Sequence, residues 1–336
     1  LLTENISGLP FISVVVPVYN NAAFIGKCIE GIRASRYDNY EIIIVDDASS
    51  DNTVEIVEKF DVNLIKLKKR ESANYCRNIG ADEAKGDILL FMDSDVVVEP
   101  ETLGEVAKIF SEGKLDAIVG VYSVSDDYEN LISRYKNLWI RYSYIISDAS
   151  VDWIFGAISA IKKNVFLQVK GFNRDLHSQN GTDDLELGKR LASENYAIEI
   201  NEKIEGKHLR HFTLGALLKN DFRRSRWFVA LAKDFNGIKN SLKEGFVNIY
   251  PKFILSTALS IPMLLLLVGS LFYCAAAAAF LGLFLVFLFL NFPFVKYFSK
   301  HYGAIYTPVI YLVIFLDNLA SAFGSFFGLV KVLFKR

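Results

Sequence analysis

Two aspartates separated by one serine, Asp93 and Asp95, follow directly on the apolar run Ile88–Met92. Extended chain sends alternate side chains to the same side, so both carboxylates emerge together at a strand end, where they repel unless a cation lies between them. Oxygen ligands of this kind suit Mg2+ or Mn2+. A second acidic pair, Asp183 and Asp184, opens a helix whose Leu185, Leu187 and Leu191 pack inward. The helix dipole keeps both carboxylates ionised, and an ionised carboxylate is what a general base must be. Helix capping by Asp183 or Thr182 is the plainer reading, and it leaves the other acid for chemistry.

The elements that must position these acids alternate in type. Phe11–Val16, Glu41–Val45 and Asn63–Leu67 read as strands, Ala22–Ala34 and Thr53–Phe60 as helices, and Ile88–Met92 as a buried central strand. This alternation predicts an α/β fold with a parallel, right-handed, doubly wound sheet, in which ligands collect at the carboxyl ends of the strands. Those ends carry Pro17, Tyr19 and Asn20, then Asp46, Asp47 and Asp51, then Arg77. Pro17 and Asn20 also suit a turn, the acids after the second strand also suit a helix cap, and Arg77 also suits a surface ion pair. Neither a G-x-G-x-x-G nor a G-x-x-x-x-G-K-[ST] pattern occurs, so phosphate handling falls to a cation held by carboxylates.

The 336 residues are 52% hydrophobic, enough for a large domain with apolar sequence to spare at the C-terminal end. A formal net charge of −1 gives no support to a nucleic-acid partner. Cys28, Cys76 and Cys274 lack metal-ligand spacing and read as reduced thiols of a cytoplasm-facing protein. No leader pattern is read ahead of the first strand, and the opening on Leu1 suggests a trimmed chain.

Taken in order, VVVPVYNN (14–21), VDDASSDNT (45–53), ANYCRNIG (73–80), FMDSD (91–95), FGAISAIKKNVF with GF (155–172) and GTDDLELGKRL (181–191) resemble family 2 glycosyltransferases of the GT-A fold. The resemblance runs from Ile12 to Trp227. It implies a nucleotide-sugar-binding domain in which Pro17, Tyr19, Asn20 and Gly156 lie beside the donor, Asp46 or Asp47 holds the base, and Arg77 supports the diphosphate. It also gives Asp93 and Asp95 the metal roles, with Asp95 in direct contact, and makes Asp184 the base. The family pattern at that position is usually Glu-Asp, so Asp183 departs from it.

Arg223-Arg224-Ser225-Arg226-Trp227 resembles the (Gln/Arg)-x-x-Arg-Trp motif of ceramide glucosyltransferases and processive β-glycan synthases. Arg223 and Arg226 suit diphosphate oxygens, and Trp227 suits the floor of an acceptor pocket. His211 falls where some GT-A enzymes place a late metal or phosphate contact, while His208 reads as structural. The basic stretch Lys219–Lys252 equally suits an anionic membrane surface. The acid-free, aromatic stretch Leu131–Ile146 reads as a core helix or, by preference, as one resting on lipid headgroups.

No charge occurs from Phe253 to Val295, which predicts two membrane spans joined near Leu271–Ala275. Lys252, Lys296 and Lys300 place the catalytic side in the cytoplasm. A third apolar segment, Tyr306–Leu333, contains Asp317, which must face protein or water, and a stripe of small residues with G-x-x-x-G spacing for helix packing or a homo-oligomer. Full crossing would carry Lys331, Lys335 and Arg336 to the outer side against the usual bias, and a re-entrant or interfacial helix would avoid this. The expected layout is a GT-A domain over 1–213, basic interfacial helices over 214–252 and a transmembrane region over 253–336. The expected activity is metal-dependent, inverting transfer of a sugar from a UDP-linked donor to a lipid or lipid-linked acceptor. A processive polysaccharide synthase and a catalytically silent nucleotide-sugar-binding protein are the alternatives.

Overall fold

The computed structural model describes residues 8–125, 128, 130–173, 183–235, 238–244 and 249–334. Thr182, one of the two capping candidates, lies outside the described residues, as does the side chain of Asp183. The chain divides into two units, Leu1–Ser123 with Ser147–Arg210, and Val124–Ile146 with His211–Arg336.

The first unit begins β1 (Ile12–Val18), α1 (Ile25–Arg33), β2 (Tyr40–Asp46), α2 (Thr53–Val57), β3 (Asn63–Lys66), α3 (Ala73–Glu83) and β4 (Ile88–Met92). It continues through β5 (Val96–Val98), α4 (Thr102–Ser111) and β6 (Ala117–Tyr122). After α5 (Leu131–Ile145), which belongs to the second unit, come β7 (Ile158–Lys162), α6 (Lys163–Gln168), α7 (Asp183–Ser193) and β8 (Ile198–His208). Their strands form one sheet in the order β3-β2-β1-β4-β7-β6-β8-β5. The parallel arrangement expected from the alternation holds from β3 to β4. Beyond β4 the sheet is mixed, because β7 runs antiparallel to both β4 and β6, and β8 antiparallel to β5. β1 and β4 are buried at every position, as continuous apolar runs in a sheet covered on both faces must be. The helix expected over Thr53–Phe60 ends at Val57.

The second unit holds α5, α8 (Leu214–Phe235), α9 (Ile238–Glu244), α10 (Pro251–Gly269), α11 (Cys274–Tyr302) and α12 (Thr307–Phe334). Three apolar stretches, Pro251–Gly269, Cys274–Tyr302 and Ala304–Phe334, are helical, long and apolar enough to cross a membrane. The first two are separated by residues 270–273, close to the expected turn. The aromatics of α5, which the sequence assigns by preference to lipid headgroups, pack on protein instead. Trp139 packs against Phe253 and Phe294 at centroid distances of 4.6 and 4.8 Å, and Tyr135 and Tyr142 are buried in the same cluster. Asp317 faces protein, as a carboxyl in an apolar helix must, and accepts a 2.7 Å hydrogen bond from the Tyr135 hydroxyl. Asn291 and Asn318 both donate to the Ser256 hydroxyl, at 2.7 and 2.8 Å, which ties α10, α11 and α12 together. The small-residue stripe is also used inside the chain. A Cβ on Gly324 or Gly328 would lie 2.2 Å or 2.5 Å from the carbonyl oxygens of Phe222 and Arg226, so α8 occupies the seam that the sequence offered to another helix or a second copy.

Candidate active site

The carboxyl ends of β1 and β2 are laced together before any ligand is considered. Asn20 takes the left-handed backbone conformation (φ 46°) that asparagine tolerates. Its amide N–H donates to Ser49 Oγ at 2.9 Å, and its side-chain oxygen accepts from the Ser50 N–H at 2.7 Å. Asn21 and Ala22 donate to Thr53 Oγ1 and Asp51, and the Asn21 side chain reaches Ser94 Oγ at 2.7 Å, between the two aspartates of the β4 end. Asn20 therefore shapes the turn, the plainer of its two readings. Asp51 takes the helix-start role, accepting the Thr53 N–H at 3.1 Å.

The two acids at the end of β2 separate into different environments. Asp46 accepts the Ser49 N–H at 3.0 Å and bends the loop back on itself; its other oxygen is buried without a hydrogen-bond partner among the described residues. Asp47 instead lines a cleft of about 150 Å³ together with Pro17, Val18, Tyr19, Arg70, Glu71 and Ser72. It accepts the Glu71 N–H at 2.7 Å, and burial raises its pKa against the pull of that bond and of Arg70. The Arg70 guanidinium stacks on the Tyr19 ring at 4.0 Å. Arg70 and Glu71 escape a reading of motifs, because they sit in a basic run after β3 that looks like ordinary solvated surface.

Four segments far apart in sequence meet at the end of β4. Arg77 Nη2 donates to Asp93 Oδ1 at 2.7 Å and to the Gly156 carbonyl at 3.2 Å. The Gly156 N–H donates to Asp184 Oδ2 at 2.9 Å. Asp93, Arg77, Gly156 and Asp184 thus form one hydrogen-bonded chain. A Cβ on Gly156 would stand 3.2 Å from Arg77 Nη2 and 3.4 Å from Asp184 Oδ2, so the residue there must be small. Asn78, next to Arg77, exchanges two 2.9 Å hydrogen bonds with the backbone of Phe172. Arg190 on α7 grips Glu186 and the carbonyls of Val169 and Gly171. These ties fix α7, and with it Asp184, relative to β4 and β7.

Asp93 is partly open, with 39% of its side chain accessible, and protein walls it elsewhere. Burial pushes its pKa up to about 6 against the pull of Arg77, and the Asp95 charge adds to the rise. Asp95 is lowered: burial would raise it, and the hydrogen bond and charge of His208, with Arg210, outweigh that. His208 Nε2 lies 3.6 Å from Asp95 Oδ2, and its ring stacks on Tyr122 at 4.8 Å. The imidazole beside the paired acids is thus the one that the sequence read as structural, while His211 is an exposed residue of the second unit. Among the described residues no three His, Cys, Asp or Glu side chains converge as a preformed metal cage. Two neighbouring carboxylates at a cleft nonetheless fit a Mg2+-like ion, which takes one or two carboxylates and completes its shell with phosphate oxygens and water.

Arg223, Arg226 and Trp227 lie on α8 in the second unit. Arg223 is exposed, Arg226 and Trp227 are half-buried, and the Lys331 ammonium sits 4.6 Å from the Trp227 ring centre.

Residues 13–165 match the family described as Glycosyl transferase family 2, and residues 142–213 match the N-terminal domain of galactosyltransferase. Over 231 residues the chain is 31% identical to Glycosyltransferase AglE of Haloferax volcanii, an alignment covering 65% of this chain and 72% of that protein. It is 26% identical over 227 residues to Glycosyltransferase GlyG of Streptococcus pneumoniae, covering 63% and 74%. Among solved structures, the mannosyltransferase PcManGT from Pyrobaculum calidifontis, in complex with GDP-Man and Mn2+, shares the fold at a TM-score of 0.63 and 20% identity, over 93% of this chain and 89% of that one.

Proposed function

This chain belongs to glycosyl transferase family 2, and from that premise we propose that it moves a sugar from a nucleoside diphosphate to a lipid or lipid-linked acceptor, with inversion at the anomeric carbon. The hydrogen-bonded chain from Asp93 through Arg77 and Gly156 to Asp184 carries the reading. It links the acids suited to the donor diphosphate with the acid suited to the acceptor, through one guanidinium and one peptide group.

In this reading Asp47, Pro17, Tyr19 and Arg70 wall the base of a UDP-linked donor. Arg77 holds Asp93 toward the cleft. Asp93 and Asp95 would hold Mg2+ or Mn2+, which when bound supplies positive charge to the departing diphosphate. PcManGT, with its GDP-Man and Mn2+, supports a divalent ion at this fold's cleft. Asp184, oriented by the Gly156 N–H and by the Leu185 N–H at 2.9 Å, removes the proton from the acceptor hydroxyl as that oxygen attacks the anomeric carbon.

The three long apolar helices support an acceptor presented at a bilayer, and the basic residues flanking α10 and α11 support a cytoplasmic catalytic side, where nucleotide sugars are made available. Thermal unfolding of the full chain against a panel of nucleoside diphosphate sugars, with and without Mn2+ or Mg2+, tests the donor half of the reading. One donor class should stabilise the protein, and only with the cation. Equal stabilisation by a donor without any divalent ion removes the metal from the scheme.

A further inference from the structure

The third long apolar helix, α12, has two faces that differ. Val309 and Leu312 near its start and Phe323, Phe326 and Leu333 toward its end are exposed, at spacings of 3, 11, 3 and 7 residues that return to one side of a helix. The opposite side is committed to protein. Asp317 takes the Tyr135 hydroxyl of α5, and Asn318 bonds to Ser256 and Thr257 of α10. Gly324 and Gly328 lie directly on the backbone of α8 at Phe222 and Arg226, and Lys331 covers Trp227, while Phe327, half-exposed, meets the Phe222 ring at 6.0 Å at the border of the two faces. The paired positions advance together in both helices, so α8 and α12 run parallel through this stretch.

That pairing fixes the depth of α12. Whatever depth its C-terminal half takes, α8 takes as well, since backbone-to-glycine contact leaves no room for lipid between them. α8 carries Lys219, Asp221, Arg223, Arg224, Arg226 and Lys233, and Lys219 and Arg223 are exposed. Exposed charges of this kind are costly inside hydrocarbon and favourable among headgroups. α5, bonded to Asp317 halfway along α12, carries Arg134, Lys136 and Arg141 and packs through Trp139 on Phe253 and Phe294, beside the start of α10 and the end of α11. Both neighbours hold α12 at the end of the α10–α11 hairpin where α10 begins.

We infer that α12 is not a third span but an in-plane helix clasped to α8, with its apolar stripe set into the acyl chains of the leaflet where the hairpin begins and ends. The chain then crosses twice, and its last residues return to the side of α8. Lys331, Lys335 and Arg336 stay with the other basic flanks, which removes the conflict with the positive-inside bias. The basic motif Arg223–Trp227 lies in the headgroup plane, where a lipid-borne phosphate or hydroxyl sits. A lone crossing helix needs no charged partner along its length, and α12 has one.

Sidedness decides between the two topologies without reference to sugar transfer, so failure here is separable from failure of the enzymatic reading. Cys28 and Cys76 are fully buried, while Cys274 is exposed at the start of α11. The full chain is labelled with a membrane-impermeant maleimide in right-side-out and in inverted vesicles, as the natural protein and as Cys274→Ser carrying either Lys300→Cys or Arg336→Cys. In-plane α12 places positions 300 and 336 on one side and Cys274 on the other. Labelling of position 336 from the side that labels Cys274, or from neither side until detergent is added, overturns the inference.

Discussion

Arg77 with Asp93 in the first unit and Lys136 with Asp221 in the second are ion pairs of the same chemistry in different settings. Lys136 is a closed pair: its ammonium touches both oxygens of Asp221, at 2.8 and 2.6 Å, and the side chains are 5% and 9% exposed. In the first unit only the cation is buried. Arg77 is 8% exposed and Asp93 39%, with one carboxylate oxygen on the guanidinium and the rest of the group partly accessible. A closed pair, here with Asn220 also donating to Asp221 at 3.1 Å, is satisfied by protein and fixes helices, whereas a half-open pair presents an oriented carboxylate to something that is not protein. In the proposed reading the half-open pair belongs to the unit that does chemistry and the closed pair to the unit that holds position.

The largest way to break this contrast is at the far end of the open chain. Asp184→Asn keeps the Gly156 N–H bond within reach of its side-chain oxygen but has no basic carboxylate. Turnover should fall by about 10² to 10⁴-fold while donor affinity stays within a factor of about three, measured by initial rates beside calorimetry. Unchanged turnover would move the base elsewhere. The closed pair makes the opposite prediction. Lys136→Met strands a buried carboxylate and should cost about 3–5 kcal/mol in denaturant unfolding, whereas Lys136→Met with Asp221→Leu should recover most of that loss. If the double variant is as unstable as the single, the pair does more than hold helices.

Smaller effects sharpen the open end. Asp95→Asn should abolish cation-dependent stabilisation by donor, which amounts to about 2.7 kcal/mol at a hundredfold excess over Kd, and should leave the fold intact by circular dichroism. Retained cation dependence would take Asp95 out of the ion's site. Arg70→Ala removes the guanidinium from the Tyr19 ring and should raise the donor KM by about two- to fivefold with kcat unchanged, a loss of roughly 0.5–1 kcal/mol. A matching fall in kcat would show that Arg70 acts in more than ground-state binding.

The contrast also explains what was legible in the sequence. Strand ends carrying Tyr19, Asp47 and Asp93 could be read because an apolar run that stops at a polar residue is a local signal, and the apolar hairpin could be read from its length alone. β8 could not, since IEINEKIEGKH mixes charge through a strand that pairs β5 on one side and β6 on the other. Without it the mixed half of the sheet goes unseen, and so does the place of His208, the last residue of that strand, beside Asp95. Asp46 and Asp47 were indistinguishable as neighbours in an acidic loop. They separate once Glu71, 24 residues on, turns its N–H to Asp47. Lys136 and Asp221 lie 85 residues apart, and nothing local to either names the other. The G-x-x-x-G stripe gave the right kind of contact with an unspecified partner, because small residues announce close packing and not its address.

The central claim is transfer of sugar from a nucleoside diphosphate to a membrane lipid. Membranes containing the full chain, supplied with Mn2+ and a radiolabelled nucleoside diphosphate sugar of the class that stabilises the protein, should move label into an organic-solvent-extractable product with one nucleoside diphosphate released per sugar transferred. Membranes carrying Asp184→Asn should not. Label that remains water-soluble, or an extractable product formed equally by the Asp184→Asn protein, would contradict the account.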